Sequence, residues 1–453
     1  MSLTSEAAPV TDPAQVQAAR LIQRALPVGG LFADQHWRVS PEPFVLDAKL
    51  AGELESLGRV LLQFYRAVNL LYRLSAEGRQ PEWVARLLDQ GKPAELVALQ
   101  RHAAFKNDLP RVIRPDVLLT EDGFVISELD SVPGGIGLTA WLNQTYTRPG
   151  IQQSMSRQII GGDRGMLDGF ASIFGDAKHV HIVISDEAGS YRPEMEWLAG
   201  QLGRERFTVQ PGTFEGVVTG EAVYRFFELF DLSNVPGAVS LFEAATAGRS
   251  QLTPPPKMIF EEKLLFALLW NRNLAGFWRQ ELGAGFFERL KRHVPYTWSV
   301  DPTPLPPHAA YPGLELTDWQ QLKTLSQRER DLILKVSGFS AEAWGARGVY
   351  LGSDLSQPDW AAAVDRALAA FPKSPYVLQR YHKPAVHPAA WCDFTTDQIV
   401  AMPSRVRLCP YYFVAGEWQK ARPNLGGVLA TLCPADKKII HGMKDAILVP
   451  CAV

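Results

Sequence analysis

Cysteine is scarce and confined to one end of the chain: Cys392, Cys409, Cys433 and Cys451 are the four in 453 residues. None is spaced as C-x-x-C, which argues against a zinc ribbon or a thioredoxin-type pair and leaves four small buried hydrophobes in a reducing compartment. A surplus of charge is missing too. Lys plus Arg total 46 and Asp plus Glu 48, a formal net charge of -2. A protein that grips nucleic-acid backbone or an anionic membrane surface carries a basic excess, so neither is expected as a partner. No apolar run approaches the ~18 residues of a membrane span, and 264–270 is among the longest. The first ten residues lack the basic-then-apolar order of a secretory leader. A cytoplasmic chain is expected. Several signatures are also absent: G-x-x-x-x-G-K-[ST], G-x-G-x-x-G and G-x-S-x-G.

What is present reads as α/β (α+β) in about three domains, at a prior of ~150 residues each. Leu50, Leu54, Leu57, Leu61, Phe64, Val68 and Leu71 recur at helical spacing behind Asp47, a good N-cap, with Gly78 as the stop. The first 108 residues read as a helical region. The texture changes after 110. Two short strands, 117–120 and 124–129, flank Glu121-Asp122-Gly123, and Pro133-Gly134-Gly135-Ile136-Gly137 leads into a helix. Between 177 and 252, strands at 179–184, 207–209 and 223–227 and a helix opening at Pro193 suggest a small doubly wound unit. A helical run follows at 260–270. Five prolines between 302 and 312 make a semi-rigid connection. Beyond it, strands are expected at 332–336, 376–381, 405–414 and 427–432, with a helix at 359–370.

The residues with most chemical content are Arg114-Pro115-Asp116 and Glu128-Leu129-Asp130. Glu128 and Asp130 are two apart on a strand and share a face. A two-residue Asp122-Gly123 turn would put Asp116 opposite Leu129. A three-residue loop with Gly123 in the left-handed position would pair Asp116 with Glu128 and Arg114 with Asp130. All four polar groups then lie together. Three carboxylates on one face repel unless a cation sits among them, and an all-oxygen set suits Mg²⁺ or Mn²⁺. A solvated hairpin with a surface ion pair is the alternative.

Lys335 ends an apolar strand and is followed by a small-residue loop holding Gly338, Gly345 and Gly348, an arrangement that can meet a triphosphate. Taken alone it reads first as an ordinary strand–turn–strand. Lys263 opens an apolar helix and also reads as a surface lysine. Gln379 and Tyr381 lie on a strand that ends at Pro384. His179 and His181 share a strand face without a third ligand placed by sequence, so they are taken as structural.

Together these features resemble the ATP-grasp superfamily in its circularly permuted form, close to the synthetase domain of glutathionylspermidine synthases. The likeness covers about residues 105 to 453. It implies a circularly permuted ATP-grasp fold with a Rossmann-like α/β subdomain behind an N-terminal helical region. The segments would be 1–108 (helical), 109–165 (metal carboxylates), 166–255 (Rossmann-like), 256–385 (nucleotide-binding, with a phosphate lid) and 386–453 (completing the sheet). It implies that Asp116, Glu128 and Asp130 hold Mg²⁺ and that Arg114 is catalytic. Lys263, Lys335, Gly338, Gly345, Gly348, Gln379 and Tyr381 would bind ATP. Ser131, Gly134 and Gly135 would form a substrate loop, with the N–H groups of 134–137 holding a carboxylate or acyl phosphate. Asp130 departs from the family's usual Asn. The first hundred residues lack cysteine, so the Cys-His amidase activity of the bifunctional synthases is expected to be absent.

The activity implied is ligation of a small-molecule or peptide carboxylate to an amine, with ATP as co-substrate and an acyl phosphate as intermediate. A phosphotransferase and a nucleotide-binding regulator without catalysis remain alternatives at this point.

Overall fold

The computed structural model describes residues 12–27, 37–152, 157–343, 347–417, 420–440 and 445–453. The long helix Ala48–Ala76 forms where the heptad-like spacing places it. Asp47 caps it by accepting from the Leu50 amide at 2.8 Å, and its apolar face, Leu54 to Leu71, is buried in the main core. It packs on the helical segment Ala275–His293, kinked at Gly283, and on the central sheet. Trp83–Asp89 and Ala94–Arg101 follow it, and Pro13–Arg24 precedes it, although the expected helical region 1–108 also contributes the strand Phe44–Val45.

The central sheet is assembled from both ends of the chain. Its order is Phe44–Val45, Ile447–Ala452, Arg422–Pro434, Ser404–Ala415, Val112–Thr120 and Gly123–Asp130, with Val386–His387 also on Ser404–Ala415. The last strand, Ile447–Ala452, is absent from the sequence expectation. Pro450 interrupts its apolar run, and proline ordinarily demotes a segment from a central strand. The expected helix at 260–270 is split into a 3-10 turn, Met258–Glu261, and a helix, Leu264–Trp270.

Two smaller sheets stand against the central one. Phe207–Pro211, Val180–Ile184, Ala222–Phe226 and Gln251–Thr253 form an all-parallel sheet in that order, with Arg192–Leu202 packed on it. This matches the doubly wound texture read between 177 and 252. Val349–Leu351, Leu332–Val336, Tyr376–Arg380 and Thr297–Ser299 form an antiparallel sheet. The helix Gln357–Ala370 packs on it, with Trp360 fully buried. The overall class is therefore mixed α/β with several sheets. No helix among the described residues is long and apolar enough to cross a membrane.

The hairpin differs from expectation in its turn. Thr120 pairs with Gly123, so the loop is the two residues Glu121 and Asp122. A bulge then absorbs Ser127 between the Asp116–Glu128 and Val117–Ile126 pairs. The extra residue sits inside the ladder instead of at the turn, and it restores the pairing of Arg114 with Asp130 and Asp116 with Glu128.

Candidate active site

A cavity of about 390 Å³ opens where the three sheets meet. The hairpin contributes Arg114, Asp116, Glu128 and Asp130, and the antiparallel sheet contributes Lys335, Gln379 and Tyr381. Lys263 enters ahead of helix Leu264–Trp270, Arg407 from strand Ser404–Ala415, and Glu228 from just beyond strand Ala222–Phe226.

The hairpin carboxylates do share one region, and the protein's own cations lie among them. Arg114 stands 2.9 Å from Asp130 and 3.2 Å from Asp116. Arg407 holds the other Asp116 oxygen at 3.1 Å, and the Cys409 thiol donates to Asp116 at 3.5 Å. Glu128 pairs with Lys263 at 2.8 Å. Burial alone would raise the Asp116 carboxyl, but Arg407 and Arg114 outweigh it and hold the group below its ordinary range. Asp130 goes the other way. Burial raises it, Arg114 offsets only part, and Glu128 and Asp116 add repulsion. Glu228 is pushed well above the carboxylate range by burial and by Glu261 and Asp130 beside it. Among the described residues, no group of three or more His, Cys, Asp or Glu is arranged to hold a metal ion. Arginine and lysine already neutralise this set.

Lys335 is buried. It donates to the Gln379 side-chain oxygen at 3.0 Å and to the carbonyl of the bulged residue, Ser127, at 3.1 Å. Gln379 in turn donates to Thr297 at 3.1 Å, so its amide is oriented from both ends. Burial lowers the Lys335 ammonium to about 8, and Lys263 adds to the effect while Glu128 and Asp116 oppose it. Lys263 is the contrasting case: burial lowers it, but Glu128 outweighs burial and raises it. Lys263 also reaches the Ser337 and Ala343 carbonyls at 3.4 and 3.3 Å. Tyr381 lines the cavity and donates to the Lys438 carbonyl at 3.2 Å.

The glycines divide. Gly338 and Gly348 pack tightly against neighbouring chain, with Glu261 O 2.4 Å and Val336 Cγ1 2.7 Å from where a Cβ would stand. Gly345 lies outside the described residues. The Gly134 carbonyl accepts from Arg114 at 3.2 Å and from the Tyr411 hydroxyl at 2.7 Å. The Gly135 amide, one of those expected to face a substrate anion, donates instead to Glu194 at 2.7 Å, and the Leu138 amide joins it at 3.2 Å. A carboxylate from helix Arg192–Leu202 thus occupies the positive end of helix Ile136–Tyr146. Ser131 is buried beside a small side cavity, and its hydroxyl has no partner.

His179 and His181 lie away from the cavity lining, bonded to Thr208 and Glu221 at 2.9 Å each. Arg407 and Glu228 carry no motif that singles them out. The signal available for Arg407 is an arginine inside an otherwise apolar strand, Val406-Arg407-Leu408-Cys409, where an unpaired charge would be costly.

No family model matches the chain, and no curated protein matches it. Solved structures do. A glutathione synthetase-like effector from Globodera pallida, in its apo form, superposes with a TM-score of 0.55 at 11% identity, over 97% of this chain and 96% of that one. The chain has the fold of that glutathione synthetase-like protein. A protein from Methylobacillus flagellatus described as a gamma-glutamylcysteine synthetase matches at a TM-score of 0.37 and 11% identity, over 89% of this chain and 86% of that one. The superposition is too loose to bear on the fold.

Proposed function

We propose that the chain is an ATP- and Mg²⁺-dependent carboxylate–amine ligase of circularly permuted ATP-grasp architecture. The observation that carries this reading is the convergence of Arg114, Asp116, Glu128, Lys263, Lys335 and Gln379 on one cavity from segments some 260 residues apart. The carboxylate hairpin precedes both lysines in the chain, which is the permuted order. The fold shared with the glutathione synthetase-like effector supports the same reading. On it, the segments 109–165, 256–385 and 386–453 build one catalytic unit around the 166–255 subdomain.

A divalent ion fits part of the carboxylate set. Glu128 and Asp130 line the cavity; beyond burial, Glu128 and Asp116 raise Asp130, and Glu261 and Asp130 raise Glu228, a repulsion that a cation would relieve. Asp116 would join them by giving up an arginine contact. When bound, Mg²⁺ supplies neutralisation of the phosphate oxygens. Lys263 and Lys335 offset the remaining phosphate charge. Gln379 and Tyr381 line the nucleotide's side of the cavity. Arg114 and Arg407 stand at the transferring phosphoryl group, where fixed positive charge favours the transition state. The substrate carboxylate forms a bond to phosphorus as the bond to ADP breaks. The amine then attacks the acyl carbon and phosphate leaves.

The test is phosphate release with ATP and Mg²⁺ across pooled amino acids, peptides and polyamines. Release that depends on both a carboxylate and an amine, and is lost in Lys335→Ala, supports the ligase. ATP binding without release under any pool points to the nucleotide-binding regulator, a reading favoured by the protein cations that already pair Asp116 and Glu128.

A further inference from the structure

Lys92 sits in the turn between helices Trp83–Asp89 and Ala94–Arg101. Its ammonium is 2.6 Å from Glu262 Oε1, and both side chains are 1% exposed. The same ammonium donates to the Leu88 carbonyl at 2.5 Å. The second Glu262 oxygen accepts from Ser337 Oγ, which itself accepts from the Leu264 amide at 2.9 Å. The Ser337 carbonyl takes both the backbone amide of Lys263, at 3.2 Å, and its ammonium, at 3.4 Å. One chain of bonds therefore runs from the N-terminal helices to the joint between the Lys335 strand and the segment 338–343 that follows it. Gly338 lies directly on that joint, where a Cβ would come within 2.9 Å of the Glu262 carboxyl carbon. The neighbours of Lys92 hold the antiparallel-sheet unit as well. Gln90 donates to the Phe371 carbonyl, and Gly91 approaches so closely that a Cβ would stand 1.9 Å from the Lys373 carbonyl oxygen.

Taking two charges out of water is costly, and apolar side chains of similar size often stabilise a core as well or better. Packing alone therefore does not account for an ion pair this deeply buried. Direction does: an ammonium with two acceptors and a carboxylate with a partner on each oxygen hold Ser337 in one place. We infer that Lys92 is a positioning residue which, through Glu262 and Ser337, sets where Lys263 and residues 337–343 stand relative to the cavity. The N-terminal helical region thereby becomes part of the nucleotide site's framework. This rests on the nucleotide reading of the cavity given above.

Lys92→Met alone strands the Glu262 carboxylate and should lower the melting temperature. The double variant Lys92→Met/Glu262→Gln removes both charges and keeps an acceptor for Ser337. In nucleotide-free protein, hydrogen exchange in the double variant should quicken at Lys263, Leu264 and 337–343, with the central-sheet strands as protected as in wild type. The Mg²⁺ complex of a non-hydrolysable ATP analogue, titrated into both proteins, should bind the variant at least tenfold more weakly. Unchanged exchange at 263–264 and 337–343 overturns the inference whatever the nucleotide does. Equal affinity in a variant whose exchange has changed overturns it too. Wild-type protein that binds no nucleotide removes the nucleotide reading instead, and quickened exchange then still supports the link from Lys92 to the loop.

Discussion

Lys335 is the most informative residue to perturb, because its ammonium is held down to about 8 by burial. A triphosphate placed against it would favour the protonated form, so nucleotide affinity should be full below pH 8 and fall as the free protein loses this proton. Between pH 7 and pH 9 the protonated fraction drops by about tenfold, or ~1.4 kcal/mol of binding free energy. Titration calorimetry with a non-hydrolysable ATP analogue and Mg²⁺ at half-unit pH steps reads this directly. Lys335→Arg, which stays charged, should bind with a flat profile across the window. Lys335→Met should bind weakly at every pH. Stability should move the opposite way. The folded-state value lies below the unfolded one, so the charged lysine costs stability below pH 8, and the cost disappears as pH rises towards 10.5. Lys335→Met should therefore lose the rise in stability that the nucleotide-free wild type shows between pH 8 and 10.5. That rise is capped at roughly 3 kcal/mol. A wild-type affinity that is flat from pH 7 to 9, or a Lys335→Met protein whose stability rises between pH 8 and 10.5 as the wild type's does, refutes the reasoning.

Three other outcomes are expected. The Glu194 carboxyl is raised by burial from 4.5 to about 7, so its contribution to stability is fully present below pH 4.5 and is lost as pH rises through 7. Glu194→Gln should flatten the denaturant-measured stability profile over that window, and parallel profiles would count against the assignment. Asp116→Ala leaves two arginines without their shared carboxylate and should cost about 3–5 kcal/mol by chemical denaturation, with phosphate release abolished. Arg407→Met should keep nucleotide affinity within a few fold while cutting phosphate release at least a hundredfold; an equal loss of both would place Arg407 at the nucleotide instead of the transferring group.

Local chemistry settled much of this protein. The helical spacing behind Asp47, the apolar strand at 332–336 and the alternation of strands and helices between 177 and 252 are short-range patterns, and each appears at or near its expected place. The partnership of Arg114 with Asp130 and of Asp116 with Glu128 was legible too, although the reason differs: a bulge at Ser127 supplies the extra residue that a longer turn was expected to supply. What sequence order could not decide is what comes to meet the hairpin. Arg407 neutralises Asp116 across 291 residues, Glu194 takes the amides of the glycine loop, and Lys92 reaches Glu262 from another layer. Such pairs depend on which buried charges end up adjacent once sheets from both ends of the chain have closed. A charge isolated from water must find its partner in space, and only the tertiary structure says which partner that is.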